Sequence, residues 1–159
     1  MPVPPDVTQL ESALPGRWVV KATNFPMWLG SDRRDPVFEY ELRHRDPLAL
    51  HDVVHYTDSA GTAKTIVGTD KWSGSDFVWR GRGLLGLLAS HWTVTFLEQD
   101  VLALQFEKSM ATPSGADIAV REGVDIPELR THVAADPARF GLSLEQFASL
   151  TWLDHLPPH

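Results

Sequence analysis

The sequence predicts an all-β fold: an eight-stranded antiparallel up-and-down β-barrel with a short N-terminal helix and two C-terminal helices. Three observations carry this reading. Between Arg17 and about Glu122 apolar and polar residues alternate with period two, as in Phe38/Tyr40/Leu42 against Glu39/Glu41/Arg43 and Trp92/Val94/Phe96 against His91/Thr93/Thr95. Turn-forming clusters punctuate that stretch at short intervals. Apolar residues at helical spacing are confined to the two ends of the chain.

The elements follow in order. After a flexible proline-rich tail (residues 1–5), Asp6 caps a helix over 6–14, with Gln9 three positions on and Val7, Leu10 and Leu14 sharing a face. Pro15-Gly16 ends it. Strands are expected near Arg17–Asn24, Val37–His44, Leu50–Thr57, Ala63–Lys71, Asp76–Arg82, Ser90–Leu97, Val101–Lys108 and Asp117–Glu122. Asp46-Pro47, Asp58 to Gly61, Ser73 to Ser75, Glu98 to Asp100 and Thr112 to Gly115 supply turns. Eight short strands joined by hairpins close as a barrel, here spanning 17–122. The region 126–153 is helical. Ile126, Leu129 and Val133 follow Asp125 and Pro127, Asp136-Pro137 interrupts, and Ser143 with Gln146 opens a second helix carrying Leu144, Phe147, Leu150 and Trp152 or Leu153. The 159 residues suit a single domain.

Composition narrows the function classes. A formal charge of −7 with scattered Lys and Arg offers no basic face, so no nucleic-acid partner is expected. The chain has no cysteine, which excludes a disulfide framework and thiolate metal or redox sites and fits a reducing compartment. Residues 1–6 carry neither the basic segment nor the apolar run of a signal peptide. The longest apolar run, around Leu84 to Ala89, falls far short of the roughly 18 residues that span a bilayer. A cytoplasmic setting is expected, with a small molecule or another protein as partner.

Gly16-Arg17-Trp18 opens the first strand behind the short helix, and Arg121 stands in the last strand. This arrangement resembles the Gly-x-Trp signature of the lipocalin and calycin families. The resemblance implies that Trp18 plugs the closed end of the barrel and that Arg121 packs across it. A flat side chain seals a narrow end well, and a guanidinium can stack on it while bonding loop carbonyls. The second lipocalin signature, a Thr-Asp-Tyr type turn between the sixth and seventh strands, is absent; Glu98-Gln99-Asp100 stands there. The resemblance further implies an apolar small-molecule ligand (lipid, terpenoid or polyketide-like) inside the barrel. Calycin-like barrels also host cofactor-independent cyclases and isomerases, which use the same cavity.

Alternation places Trp18, Val20, Ala22, Phe38, Tyr40, Leu42, Phe77, Trp79, Trp92, Val94, Phe96, Leu102, Leu104 and Phe106 inside. Up-and-down order puts two apolar segments, Phe25 to Leu29 and Gly83 to Leu88, on the rim opposite Trp18. They serve as a binding mouth, as a cover for the core, or as a homodimer contact. Ligand contacts are therefore expected from Asn24, Phe25, Trp28, Phe38, Phe77, Trp79, Leu84, Leu85, Trp92 and Phe106. Tyr40, His44 and Tyr56 are the candidate catalytic groups, with His55 as a further polar candidate.

Other chemistry has weaker support. His51 and His55 share a strand face with His44 on the neighbouring strand, but Cα atoms four apart in a strand are about 13 Å distant, too far for one zinc ion. No metal or cofactor is expected. Asp52 and Asp70, on neighbouring strands, form either an acid–base pair or, as expected from their polarity, part of a solvated outer face. Ser90-His91 lacks a nucleophile elbow and Gly81-Arg82-Gly83 lacks the rest of a phosphate loop.

Overall fold

A computed structural model describes residues 3–83, 89–108 and 114–153. Helix α1 (Val7–Ala13) starts as expected in a capping box, with Asp6 and Gln9 bonding each other's backbone N–H at 2.9 Å. Its Leu10 and the following Leu14 are fully buried and cover one end of the barrel.

Strands β1 (Gly16–Thr23), β2 (Arg34–Arg45), β3 (Leu48–Thr57), β4 (Ala63–Trp72), β5 (Phe77–Gly81), β6 (Ala89–Glu98), β7 (Val101–Phe106) and β8 (Gly115–Arg121) pair antiparallel in sequence order. The sheet closes because β1 pairs with β8 on one edge and with β2 on the other. This is the eight-stranded up-and-down barrel that the alternation predicts. Among the described residues, no helix is long and apolar enough to cross a membrane.

The C-terminal region packs outside the barrel. It consists of α2 (Leu129–Ala135), a 3-10 turn at Pro137–Phe140, α3 (Leu144–Ser149) and a two-residue strand β9 (Thr151–Trp152). Ser143 and Gln146 form the expected capping box of α3. Trp152, expected on a helical stripe, instead extends as β9 beside Ala22 of β1. The β1–β2 pairing spans only Gly16 to Val19, and β9 takes that edge of β1 at Ala22 and Thr23.

Two hydrophobic clusters result, one inside the barrel and one between its outer wall and the C-terminal segment. Strands β7 and β8 face both, which explains why Val101 to Leu104 and Ile118 to Val120 are apolar without alternation. Two interior assignments need correction. Ala22 and Phe96 belong to the outer cluster, because β-bulges between Val20 and Ala22 and between Val94 and Phe96 shift the phase by one residue. Beyond the bulges Leu97 joins the inner cluster, and Thr23 is fully buried opposite Asp117. Phe96 packs on Phe140 at 4.5 Å.

The closed end is built as the Gly-x-Trp resemblance implies. Trp18 is fully buried and donates its indole N–H to Leu14 O at 2.9 Å. The Arg121 guanidinium lies 4.2 Å from the Trp18 ring centroid. It donates to Pro15 O at 3.2 Å, to Ala13 O at 2.7 Å and to Asp100 Oδ1 at 3.2 Å. Gly16, at φ +133°, is required here, because a Cβ would meet the guanidinium at 2.5 Å.

Candidate functional site

The interior above Trp18 is organised around Trp92 of β6. Its ring stacks on Phe77 at 4.7 Å, on Tyr40 at 5.4 Å and on Phe106 at 6.0 Å. At the other end of the barrel, the β1–β2 connection folds back over the interior as a 3-10 turn, Pro26–Trp28. Trp28 leans on Phe38 and Tyr56, and Phe25 meets the edge of Phe106 at 5.4 Å.

Beneath this turn lies a cavity of about 120 Å³. Phe25, Trp28, Phe38, Trp79 and Phe106 give it aromatic walls, and Met27, Val54 and Ile66 complete the apolar lining. The Trp79 indole packs against Gly68, where a Cβ would collide with its Nε1 at 2.4 Å. Gly68 thus leaves room for an indole on the cavity wall. Tyr40, Asp52 and Ser90 are the polar groups that line the cavity.

The chief surprise is acidic. Asp52 and Asp70 are buried inward-facing groups, at 5% and 0% exposure, which overturns their expected place on a solvated face. Asp52 sits opposite Tyr40 on β2 and Gly68 on β4, and Asp70 sits opposite Leu50 on β3 and Trp79 on β5. Trp92 donates its indole N–H to Asp70 Oδ1 at 2.9 Å. Asp52 Oδ1 and Asp70 Oδ2 have no hydrogen-bond partner among the described groups. Burial pushes Asp52 up to about 6, partly offset by the hydrogen bond from Asp70. Burial, with the Asp52 charge adding to it, holds Asp70 well above the usual carboxylate range. The pair therefore holds protons to higher pH than ordinary carboxyls do.

Asp117 of β8 is a third inward carboxyl, at 1% exposure and opposite Thr23 of β1. Burial pushes it up to about 7, the Thr23 hydroxyl offsetting part of this, yet neither oxygen has a hydrogen bond of good geometry. Burial, and then Asp52, Asp70 and Asp117 in turn, raise the Tyr40 phenol well above its ordinary value, so Tyr40 stays a neutral donor.

The sequence-derived site residues divide into groups. Phe25, Trp28, Phe38, Tyr40, Trp79 and Phe106 come together at the cavity. Phe77 and Trp92 lie beneath it as fully buried support. Tyr56 stands at the mouth against Trp28, with the Arg33 guanidinium 5.8 Å from its ring centroid. Asn24 is spent on structure, accepting from Ala116 N at 2.7 Å and donating to Ser149 Oγ at 2.9 Å. His44 is exposed beside the β2–β3 turn, 3.1 Å from Pro47 O, and does not reach the cavity. His55 faces outward to Glu39 at 2.7 Å and to Arg17 at 3.3 Å. Leu84, Leu85 and the rest of that apolar segment lie outside the described residues. On the outer wall, Asp76, His91 and Glu107 bring one ligand-type atom each within 4.8 Å of one another, with His91 already 2.9 Å from Asp76 Oδ2.

Asp117 and Ser90 are interior polar groups that sequence reasoning missed, and Asp52 and Asp70 are ones it expected on the outer face. Their signal was phase: Asp52 alternates with Leu50 and Val54 on one strand face, and Asp70 with Gly68 and Trp72 on another.

Comparison with known proteins places the fold. No family model matches the sequence, and no curated protein matches it. Solved structures do. Lobster apocrustacyanin A1 superposes with a TM-score of 0.65 at 9% identity, covering 91% of this chain and 79% of that one. The bovine lipocalin allergen Bos d 2 gives 0.60 at 14% identity, covering 97% and 100%. H1 crustacyanin from the lobster Homarus americanus gives 0.61 at 11% identity, covering 94% and 88%. With the closed eight-stranded barrel and the Trp18–Arg121 floor, these likenesses establish a lipocalin-like (calycin) fold for this chain.

Proposed function

We propose that the barrel binds a small, largely apolar molecule in the cavity beneath the Pro26–Trp28 turn. The observation that carries this is the cavity itself: aromatic walls on several sides, few polar groups, and a position opposite the sealed Trp18 end. Its volume sets the scale. A dry cavity of about 150 Å³ admits benzene, so a space of about 120 Å³ holds roughly one ring. A lipid, terpenoid or polyketide-like guest would bring one end into this space and leave the remainder in the mouth. The test is titration of the chain with indole and 2-phenylethanol, followed by intrinsic tryptophan fluorescence and native mass spectrometry. Saturable one-to-one uptake is expected, and Val54→Phe, which fills the cavity, should abolish it. Absence of uptake at millimolar guest would overturn the reading.

A second reading, a cofactor-independent cyclase or isomerase, is favoured by the Asp52–Asp70 pair beside Tyr40. Both carboxyls have raised proton affinity, so one can hold a proton beside a neighbour able to accept one, which is what general acid–base catalysis needs. In this reading Tyr40 polarises a carbonyl and Asp52 moves the proton. Exchange of phenylacetone α-protons in D2O, read by NMR, would be accelerated by the chain and lost in Asp52→Asn. Exchange no faster than in buffer alone would count against it.

A further inference from the structure

We propose that the guest selected by this cavity is a small amine, a cationic nitrogen on an apolar body of about one ring. This rests on the binding reading above and names the class of guest. Asp52 is at least nine-tenths buried, lines the cavity, and carries an oxygen with no hydrogen-bond partner. A carboxylate held in that state is costly unless a cation meets it. The protein supplies none there, since no Lys, Arg or His lines the cavity among the described residues. The nearby buried carboxyls, Asp70 and Asp117, supply no positive charge. Asp52 is the member of the pair that lines the cavity.

A neutral guest in this space would cover Asp52 further and offer at most a hydrogen bond from an uncharged donor in return. An anionic guest, such as a fatty acid entering head first, would place like charges together. An ammonium group answers both problems and gains from the walls. Trp28, Phe38, Trp79 and Phe106 line the space, and an aromatic face turned to a cation attracts it through its quadrupole. Tyr40 and Ser90 offer oxygens for its remaining N–H groups.

Three probes of one shape decide the matter by calorimetry at pH 7.5: 2-phenylethylamine (cationic), 2-phenylethanol (neutral) and phenylacetate (anionic). The amine should bind about tenfold or more tighter than the alcohol, the scale of a hydrogen-bonded charge pair, and the two should compete. Phenylacetate should not bind. Asp52→Asn should bring the amine to within about threefold of the alcohol. Equal binding of amine and alcohol, or an amine preference that survives Asp52→Asn, would overturn the assignment while leaving the apolar cavity in place. If none of the three binds, the binding reading itself fails. The wild-type series decides selectivity even if the Asp52 variant does not fold.

Discussion

A carboxyl whose pKa is raised in the native state holds its proton more tightly folded than unfolded. Its contribution is complete below the unfolded pKa and is lost as pH rises through the folded one. Asp117, moved from 3.8 to about 7, therefore weakens the fold between roughly pH 4 and pH 7, and Asp52 and Asp70 act in the same direction. The Asp117 shift corresponds to as much as about 4 kcal/mol lost at alkaline pH. Urea unfolding at pH 5 and pH 8 should show the wild-type chain more stable at the lower value. Asp117→Asn removes the ionisable group, so it should flatten this slope and raise stability at pH 8. A variant less stable than wild type at pH 8 would show that Asp117 has a stabilising partner when ionised.

The bulges in β1 and β6 make a testable division between the two cores. Phe96 and Phe38 are both buried phenylalanines on barrel strands, yet Phe96 packs on Phe140 outside and Phe38 lines the cavity. Phe96→Ala should cost about 3 kcal/mol in thermal or urea unfolding while leaving guest affinity unchanged. Phe38→Ala should weaken guest binding as well as stability. The strand order, both capping boxes and the Trp18–Arg121 floor were legible because alternation, capping residues and a large aromatic after glycine each leave a local signature. The bulges were not. Ala22 and Phe96 are apolar on either face, since the C-terminal segment buries the outer wall there and removes the polar counterpart that would have marked the slip. The carboxyls misled for the opposite reason. Polarity argued that Asp52 and Asp70 face water, whereas their phase with Leu50 and Gly68 argued that they face inward, and phase was the better guide. The cavity emerges only when the Pro26–Trp28 turn folds over the barrel, a tertiary arrangement that no local pattern encodes.

At the scale of the whole molecule, the barrel is a cup with a Trp18–Arg121 floor, an aromatic middle and the Asp52 carboxyl on its cavity wall. One detail of its closure reaches beyond ligand binding. Strand β1 parts from β2 after Val19, and the two residues of β9 take up the vacated edge at Ala22 and Thr23. Without them that stretch would present unsatisfied amides and carbonyls in an extended row, a template on which a second chain can add a strand. The tail thus covers an edge open to strand addition, a task separate from packing the helices. A chain ending at Leu150 should still close its barrel but form dimers or larger species at micromolar concentration, seen by light scattering. The full-length protein should not gain mass under the same conditions.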